Sequence, residues 1–220
     1  MKNLIILGAG GSGVDIISIV KAVNSITPTW NLLGFLDDNR ELHNTEICNL
    51  KVLGSIEDSD RFSDTFFISS IAHPHNRRVR RQIWDKIKSK GGKFATLIHP
   101  TAILYEGVIV KEGTVVNANC VLGSKAVLME DVYLAYACNV AHETILGAHT
   151  TLGTGANLAS GIKVGEDCYI GAGVSASHDI DIEDDTLIAI GSAVASTLKN
   201  NPMKIWIGVP AIPIKEFFKK

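Results

Sequence analysis

Hydrophobic positions along the chain change their spacing once, near residue 98. Before that point, short apolar runs alternate with segments of helical period. Asn3–Leu7 (NLIIL) is a continuous apolar run that ends in glycines, as buried parallel strands do. Ile16–Val23 has helical spacing, and Leu32–Leu36 is a second strand that ends at Asp37 and Asp38. Thr65–Ile71 (TFFISSI) is a third, rich in β-branched and aromatic residues. From Asn76 to Lys90 the spacing predicts a helix, with Val79, Ile83, Trp84 and Ile87 on one stripe and basic residues on the other face. Gly91-Gly92 ends it, and Phe94–Ile98 reads as a last strand. This alternation over residues 1–98 predicts a small, Rossmann-like open parallel sheet with helices packed on it.

After residue 98 the period becomes six. Written in sixes from His99, the chain runs HPTAIL, YEGVIV, KEGTVV, NANCVL and on to AIGSAV without an insertion. The sixth position is Leu, Ile or Val in fifteen of the sixteen blocks, Ala176 being the exception. The fourth position is always Ala, Val, Thr, Cys, Ile or Ser. A period of six held over 96 residues excludes heptads and ordinary helices and announces a repeat architecture. Physically it predicts a triangular prism: each block is a short strand plus a turn, and three blocks close a coil of eighteen residues. Sixth-position side chains then stack up the interior, with the small fourth positions beside them. The prism is expected over residues 99–195, and a loop and tail over 196–220.

Composition narrows the function classes. Hydrophobic residues are 46% of the 220 and charged ones 20%, so the chain folds around a core. A formal charge of −2 offers no electrostatic reason for binding nucleic acid or an anionic membrane. No apolar run approaches the roughly 18 residues of a membrane span, and the N-terminus shows no signal-peptide pattern, so a cytoplasmic protein without membrane insertion is expected. The four cysteines are too few for a disulfide scaffold. Cys120, Cys138 and Cys168 all occupy fourth positions and read as small core fillers rather than metal ligands or nucleophiles.

Two places carry candidate chemistry. Gly8-Ala9-Gly10-Gly11-Ser12-Gly13 follows a strand and opens a helix, a G-x-G-x-x-G pattern in its proper context. Glycines let backbone approach a phosphate, and the helix start supplies free N–H groups and a positive dipole. Gly10, Gly11 and Ser12, with Asp37 and Asp38 at the end of the second strand, are the candidate nucleotide contacts; a tight turn without a ligand is the alternative. Residues 1–98 hold about one mononucleotide-binding half, which suits a nucleotide-sugar better than a dinucleotide. The loop Ala72–Asn76 brings His73 and His75 toward the same region, as ligand contacts or as a solvated loop. On the prism, His142 should point outward, with Glu143 directly after it. A histidine beside a carboxylate suits general-base work, and an exposed histidine without a role is the alternative.

The landmarks GAGGSG at 8–13, LDD at 36–38, LIHPTA at 97–102, HE at 142–143 and IGVPA at 207–211 together resemble the NeuD/PglD group of bacterial sugar O- and N-acyltransferases, whose prism is a left-handed parallel β-helix. The resemblance covers essentially the whole chain. It implies an acetyl-CoA cosubstrate, no metal, a homotrimer, and a nucleotide-linked amino sugar as acceptor, with sugar O-acetylation as the alternative. It also implies that His142 is the general base, that Glu143 raises its basicity, and that Gly10, Gly11, Ser12, Asp37, Asp38 and His73 hold the acceptor. Ala172 and Ile190 sit where family members contact acetyl-CoA, and Gly208 and Pro210 belong to the loop over the adenine end. Two positions depart from the family's pattern: Ser12 stands where a histidine is usual, and Thr151 where many members carry a second histidine on the acetyl-CoA side. Two other uses of such a prism stay open: a zinc enzyme of the γ-carbonic anhydrase kind, which would draw on His142, His149 and His178, and a sugar-nucleotide sensor without catalysis.

Overall fold

The computed structural model describes residues 1–218, the side chains of Asn76 and Arg77 apart. The expected loop and tail over 196–220 therefore includes two residues, Lys219 and Lys220, that lie outside the described residues. The chain divides into two compact units, Met1–Pro100 and Thr101–Lys220.

The first unit contains strands β1 (Lys2–Leu7), β2 (Trp30–Leu36), β3 (Glu46–Ile47), β4 (Leu50–Gly54), β5 (Thr65–Ser69) and β6 (Lys93–Phe94), with helices α1 (Gly11–Ile26) and α2 (Arg77–Ser89). Strand order is β3-β4-β2-β1-β5-β6. All pairs are parallel except the β3–β4 hairpin at the edge. That hairpin was not read from the sequence; its turn residues Cys48 and Asn49 both take positive φ. The last expected strand is broken: Ala95 still donates to the Phe67 carbonyl, but Leu97–Ile98 is a separate two-residue strand that is no part of this sheet.

The α2 stripe differs from the expected one at a single position. Ile83, Trp84 and Ile87 join Ile5, Leu7, Leu36, Phe67 and Phe94 in the core, with Trp84 stacked on Phe94 at 4.1 Å. Arg80, however, is buried and Val79 is exposed. Positions 80, 83, 84 and 87 keep the i, i+3, i+4, i+7 spacing, so an arginine takes the place that apolarity assigns to Val79.

The second unit is a left-handed parallel β-helix. Two-residue strands pair in parallel with strands eighteen residues away, as in the ladder Val121, Asn139, Asn157, Ser175 and Ala193. From Val116 to Val194 every sixth-position side chain is buried, and from Thr114 to Ser192 every fourth-position one is too. The C-terminal segment adds Ile205–Ile207 in parallel to Leu187–Ile188 and folds Ile212–Pro213 back on it. Each third position from Gly107 to Gly191 takes positive φ, which turns the chain from one face of the prism to the next. Most of these are Gly, Asn or Asp, the residues that tolerate this conformation. Lys125, Ala137, Glu143 and His149 are the exceptions, so at those corners side-chain identity is kept against backbone preference.

Candidate active site

In the first unit the candidate residues gather where the strand order reverses about β1, the place where open parallel sheets bind ligands. A cavity of about 320 Å³ is lined by Gly8, Gly10, Gly11, Ser12, Asp37, Ser70 and His73, among others. A Cβ at Gly10 or Gly11 would meet nothing within 4 Å, so packing does not require glycine there and the backbone stands open to the cavity. Gly13 differs: a Cβ would press on the Gly8 carbonyl at 2.7 Å and the Phe35 ring at 3.0 Å, so this glycine lets α1 lie close on the sheet. Gly10 offers α1 no side-chain cap, and the first turn holds no acidic residue. The positive helix end thus faces the cavity uncapped, suited to an anion.

The acidic pair divides. Asp37 lines the cavity, but its two oxygens accept from the Ala9 N–H (2.7 Å) and the Asn39 N–H (2.8 Å). Its carbonyl accepts from His43 Nε2 at 2.7 Å. Asp37 therefore ties the glycine loop to the end of β2, and what it offers a ligand is its remaining lone pairs. Asp38 departs from the expected role: its Oδ1 accepts from the Ile56 N–H at 2.9 Å, at the start of the 3₁₀ turn 56–61, and it does not line the cavity. His73 is exposed at the rim, and its Nδ1 lies 3.4 Å from the His75 N–H, leaving Nε2 to act as a donor.

On the prism the candidates occupy three corners. His142 and Glu143 share one corner, 62% and 59% exposed, with Nδ1 3.6 Å from Oε2; the other Glu143 oxygen lies 3.7 Å from Lys125 Nζ. Those distances are too long for hydrogen bonds, but a carboxylate on the Nδ1 side favours the tautomer with Nδ1 protonated and Nε2 free as a base. Gly123, one coil below, makes the corner possible: a Cβ there would sit 2.5 Å from the His142 backbone nitrogen. Ala172 and Ile190 lie on the preceding corner, one coil apart from each other, and Ile190 is 74% exposed. The 208–211 loop folds onto the same end: Gly208 N–H donates to Ser192 Oγ at 3.1 Å and Ala211 N–H to the Ala193 carbonyl at 2.7 Å. Ala172 and Ile190 thus stack on one corner, and the loop that carries Gly208 and Pro210 is bonded to the block that holds Ile190. Between that corner and the His142 corner runs a flat face whose outward residues include Asn139 and Asn157, bonded to each other at 2.6 Å.

Thr151 belongs to neither corner. It lies on another face whose outward row, Val115, Tyr133 and Thr151, is buried, so it presents no surface to a donor. His149, on the third corner, is buried with Nδ1 3.0 Å from an Asp131 oxygen. It therefore does not converge with His142 and His178, and among the described residues no group of three His, Cys, Asp or Glu side chains is placed to hold a metal ion. Sequence reasoning missed this buried pair; its signal was the eighteen-residue spacing of two third positions. Cys120, Cys138 and Cys168 are fully buried. Burial pushes the Cys168 thiol up to about 12, and the Cys138 thiol is raised by its contact with Cys120 and by burial. Among the described residues no helix is long and apolar enough to cross a membrane.

Residues 3–87 match the family model of the PglD N-terminal domain. Among solved structures, the acetyltransferase domain of PglB from Neisseria gonorrhoeae FA1090 is 24% identical, with 97% of this chain and 100% of that chain covered and a TM-score of 0.85. The same domain in complex with acetyl coenzyme A is 25% identical over 96% of this chain and 98% of that one, again at 0.85. PerB from Caulobacter crescentus, in complex with CoA and GDP-perosamine, is 22% identical over 96% and 97%, with a TM-score of 0.83. Residues 3–87 of the chain thus form a PglD N-terminal domain, and the whole length shares the fold of these acetyltransferases.

Proposed function

We propose that the protein is an acetyl-CoA-dependent N-acetyltransferase whose acceptor is an amino sugar carried on a nucleotide. The observation that carries this reading is the exposed His142–Glu143 corner, at which Nε2 is free to accept a proton. The acceptor amine attacks the thioester carbonyl, its proton passes to His142 Nε2, the C–S bond breaks, and the thiolate leaves with little need of an acid because a thiol is a good leaving group. A well-placed base contributes about 10²–10⁴-fold; holding donor and acceptor together supplies much of the rest. The cavity at the start of α1, with its uncapped positive helix end, suits the diphosphate of the acceptor, and His73 Nε2 would donate to phosphate or sugar. The relatives solved with acetyl-CoA, or with CoA and a nucleotide-linked amino sugar, support the same pairing of substrates.

The proposed assembly is a homotrimer. The Ala172–Ile190 track and His142 lie on different corners of one prism, so a donor laid along one copy's track would meet His142 of a neighbouring copy. Ile190, Tyr136 and Ile145 leave apolar surface on these corners and the adjoining face for such an interface. Light scattering on the purified protein reads the copy number. The activity is tested by thiol release from acetyl-CoA with UDP-, GDP- and dTDP-linked amino sugars. Release with one of them, abolished in His142→Ala, is the expected result; no release and no CoA binding would overturn the reading.

A further inference from the structure

The prism carries a second His–acid pair on the His142 corner that the proposed reaction does not use. His178 and Asp179 occupy the same second and third hexad positions, thirty-six residues on, which is two coils. Both are exposed, and His178 Nδ1 lies 3.1 Å from an Asp179 oxygen. This contact is shorter than the one between His142 and Glu143. Asp179 takes positive φ, and Gly161, one coil below, leaves the space its carboxylate fills. With Nδ1 donating to Asp179, the Nε2 of a neutral His178 presents a lone pair to solvent, an acceptor in search of an N–H.

We infer that His178 holds the pantetheine arm of the donor by accepting a hydrogen bond from its second amide N–H. The inference rests on the acetyl-CoA reading above. A donor whose adenine end lies under the 208–211 loop and whose thioester reaches His142 must cross the coils between them. His178 lies in the same coil as Ala172, on the next corner, and so flanks that path from the copy that supplies His142. Spacing agrees with the chemistry. Two coils at the usual strand separation span about 9.5 Å, and the second amide nitrogen of an extended pantetheine chain lies roughly 8 Å from its sulfur on standard bond lengths. The first amide, close to the sulfur, stays level with the reacting centre. His178 takes no proton in this role; it is a binding residue, and Asp179 positions it.

Steady-state kinetics with acetyl-CoA and with S-acetyl-N-acetylcysteamine, which keeps the first amide and lacks the second, test the assignment. His178→Ala is expected to raise KM for acetyl-CoA roughly three- to tenfold, the worth of one hydrogen bond, with kcat and the acceptor KM unchanged. KM for the truncated thioester should not move. His178→Gln, whose amide oxygen can accept the same bond, should recover part of the loss, and Asp179→Asn, tolerated at positive φ, should fall between. An unchanged acetyl-CoA KM in His178→Ala, while His142→Ala still abolishes turnover, overturns the inference and leaves the enzyme reading intact. An equal effect on both thioesters also overturns it. Calorimetric titration with CoA reads the contact without turnover: equal affinity in wild type and His178→Ala refutes it.

Discussion

Two His–acid pairs seven residues apart on one prism have opposite characters. His142 and Glu143 are neighbours in sequence, exposed, and held loosely at 3.6 Å. His149 and Asp131 are eighteen residues apart, stacked in successive coils, buried, and bonded at 3.0 Å. Exposure leaves His142 a free Nε2 and room for a reactant, whereas burial commits His149 to its carboxylate. A buried, hydrogen-bonded pair is costly to break because the survivor is left unpartnered in a low dielectric. An exposed pair contributes little to stability, since water and salt screen it. A histidine and a carboxylate are therefore left open to solvent on one corner, where the proposed reaction uses them, and are tied up in structure on the next.

The largest effect expected from breaking this contrast is on rate. His142→Ala should lower kcat by about 10²–10⁴-fold while leaving the urea midpoint in place. A variant that loses stability instead would show that the exposed pair is structural. Next in size, Asp131→Asn keeps a residue that tolerates positive φ but removes the charge. It should destabilise the fold by about 1–3 kcal/mol, seen as a lower denaturant midpoint at unchanged slope, with turnover at low denaturant retained. Loss of kcat without loss of stability would mean that His149 works through Asp131 in catalysis after all. Smaller again, Glu143→Gln should slow turnover roughly tenfold, about 1.4 kcal/mol in the barrier, through loss of the carboxylate that favours the reactive tautomer.

The cysteines sharpen the comparison at the smallest scale. Cys48 is exposed in the β3–β4 turn, whereas Cys120, Cys138 and Cys168 are buried in the prism. A thiol whose pKa is raised stays protonated and unreactive until the pH passes that value, and Cys168 is pushed up to about 12. Titration of the native protein with a thiol reagent at pH 8 should find one fast thiol and three more on unfolding. Two or more fast thiols would show that the prism opens.

Much of the fold was legible because its signals are local. Fourth and sixth positions bury their side chains as the six-residue period predicts, since the outward or inward direction of a side chain follows from its place in the block. The glycine loop was legible for the same reason, with Gly10 and Gly11 open and Gly13 packed. Arg80, Asp38 and Thr151 were not. Arg80 lies on the helical face that apolarity would give to Val79, Asp38 turns to the Ile56 N–H, and Thr151 lies on a face that is covered although its hexad position points outward. Each depends on what residues distant in sequence leave to bond with or to cover, which no local pattern encodes.

By itself, then, the order of residues determined that a parallel sheet with a glycine loop precedes a six-residue prism, and that a histidine and a glutamate share a corner of it. Side-chain volume and backbone preference act within a few residues, so a repeat carries them plainly. Only the tertiary structure decided which histidine is free and which is spent, because stacking places residue 149 over residue 131 and burial depends on what covers the face. It also decided where the 208–211 loop lies, because the bonds from Gly208 to Ser192 and from Ala211 to Ala193 join residues outside the repeat to its last block.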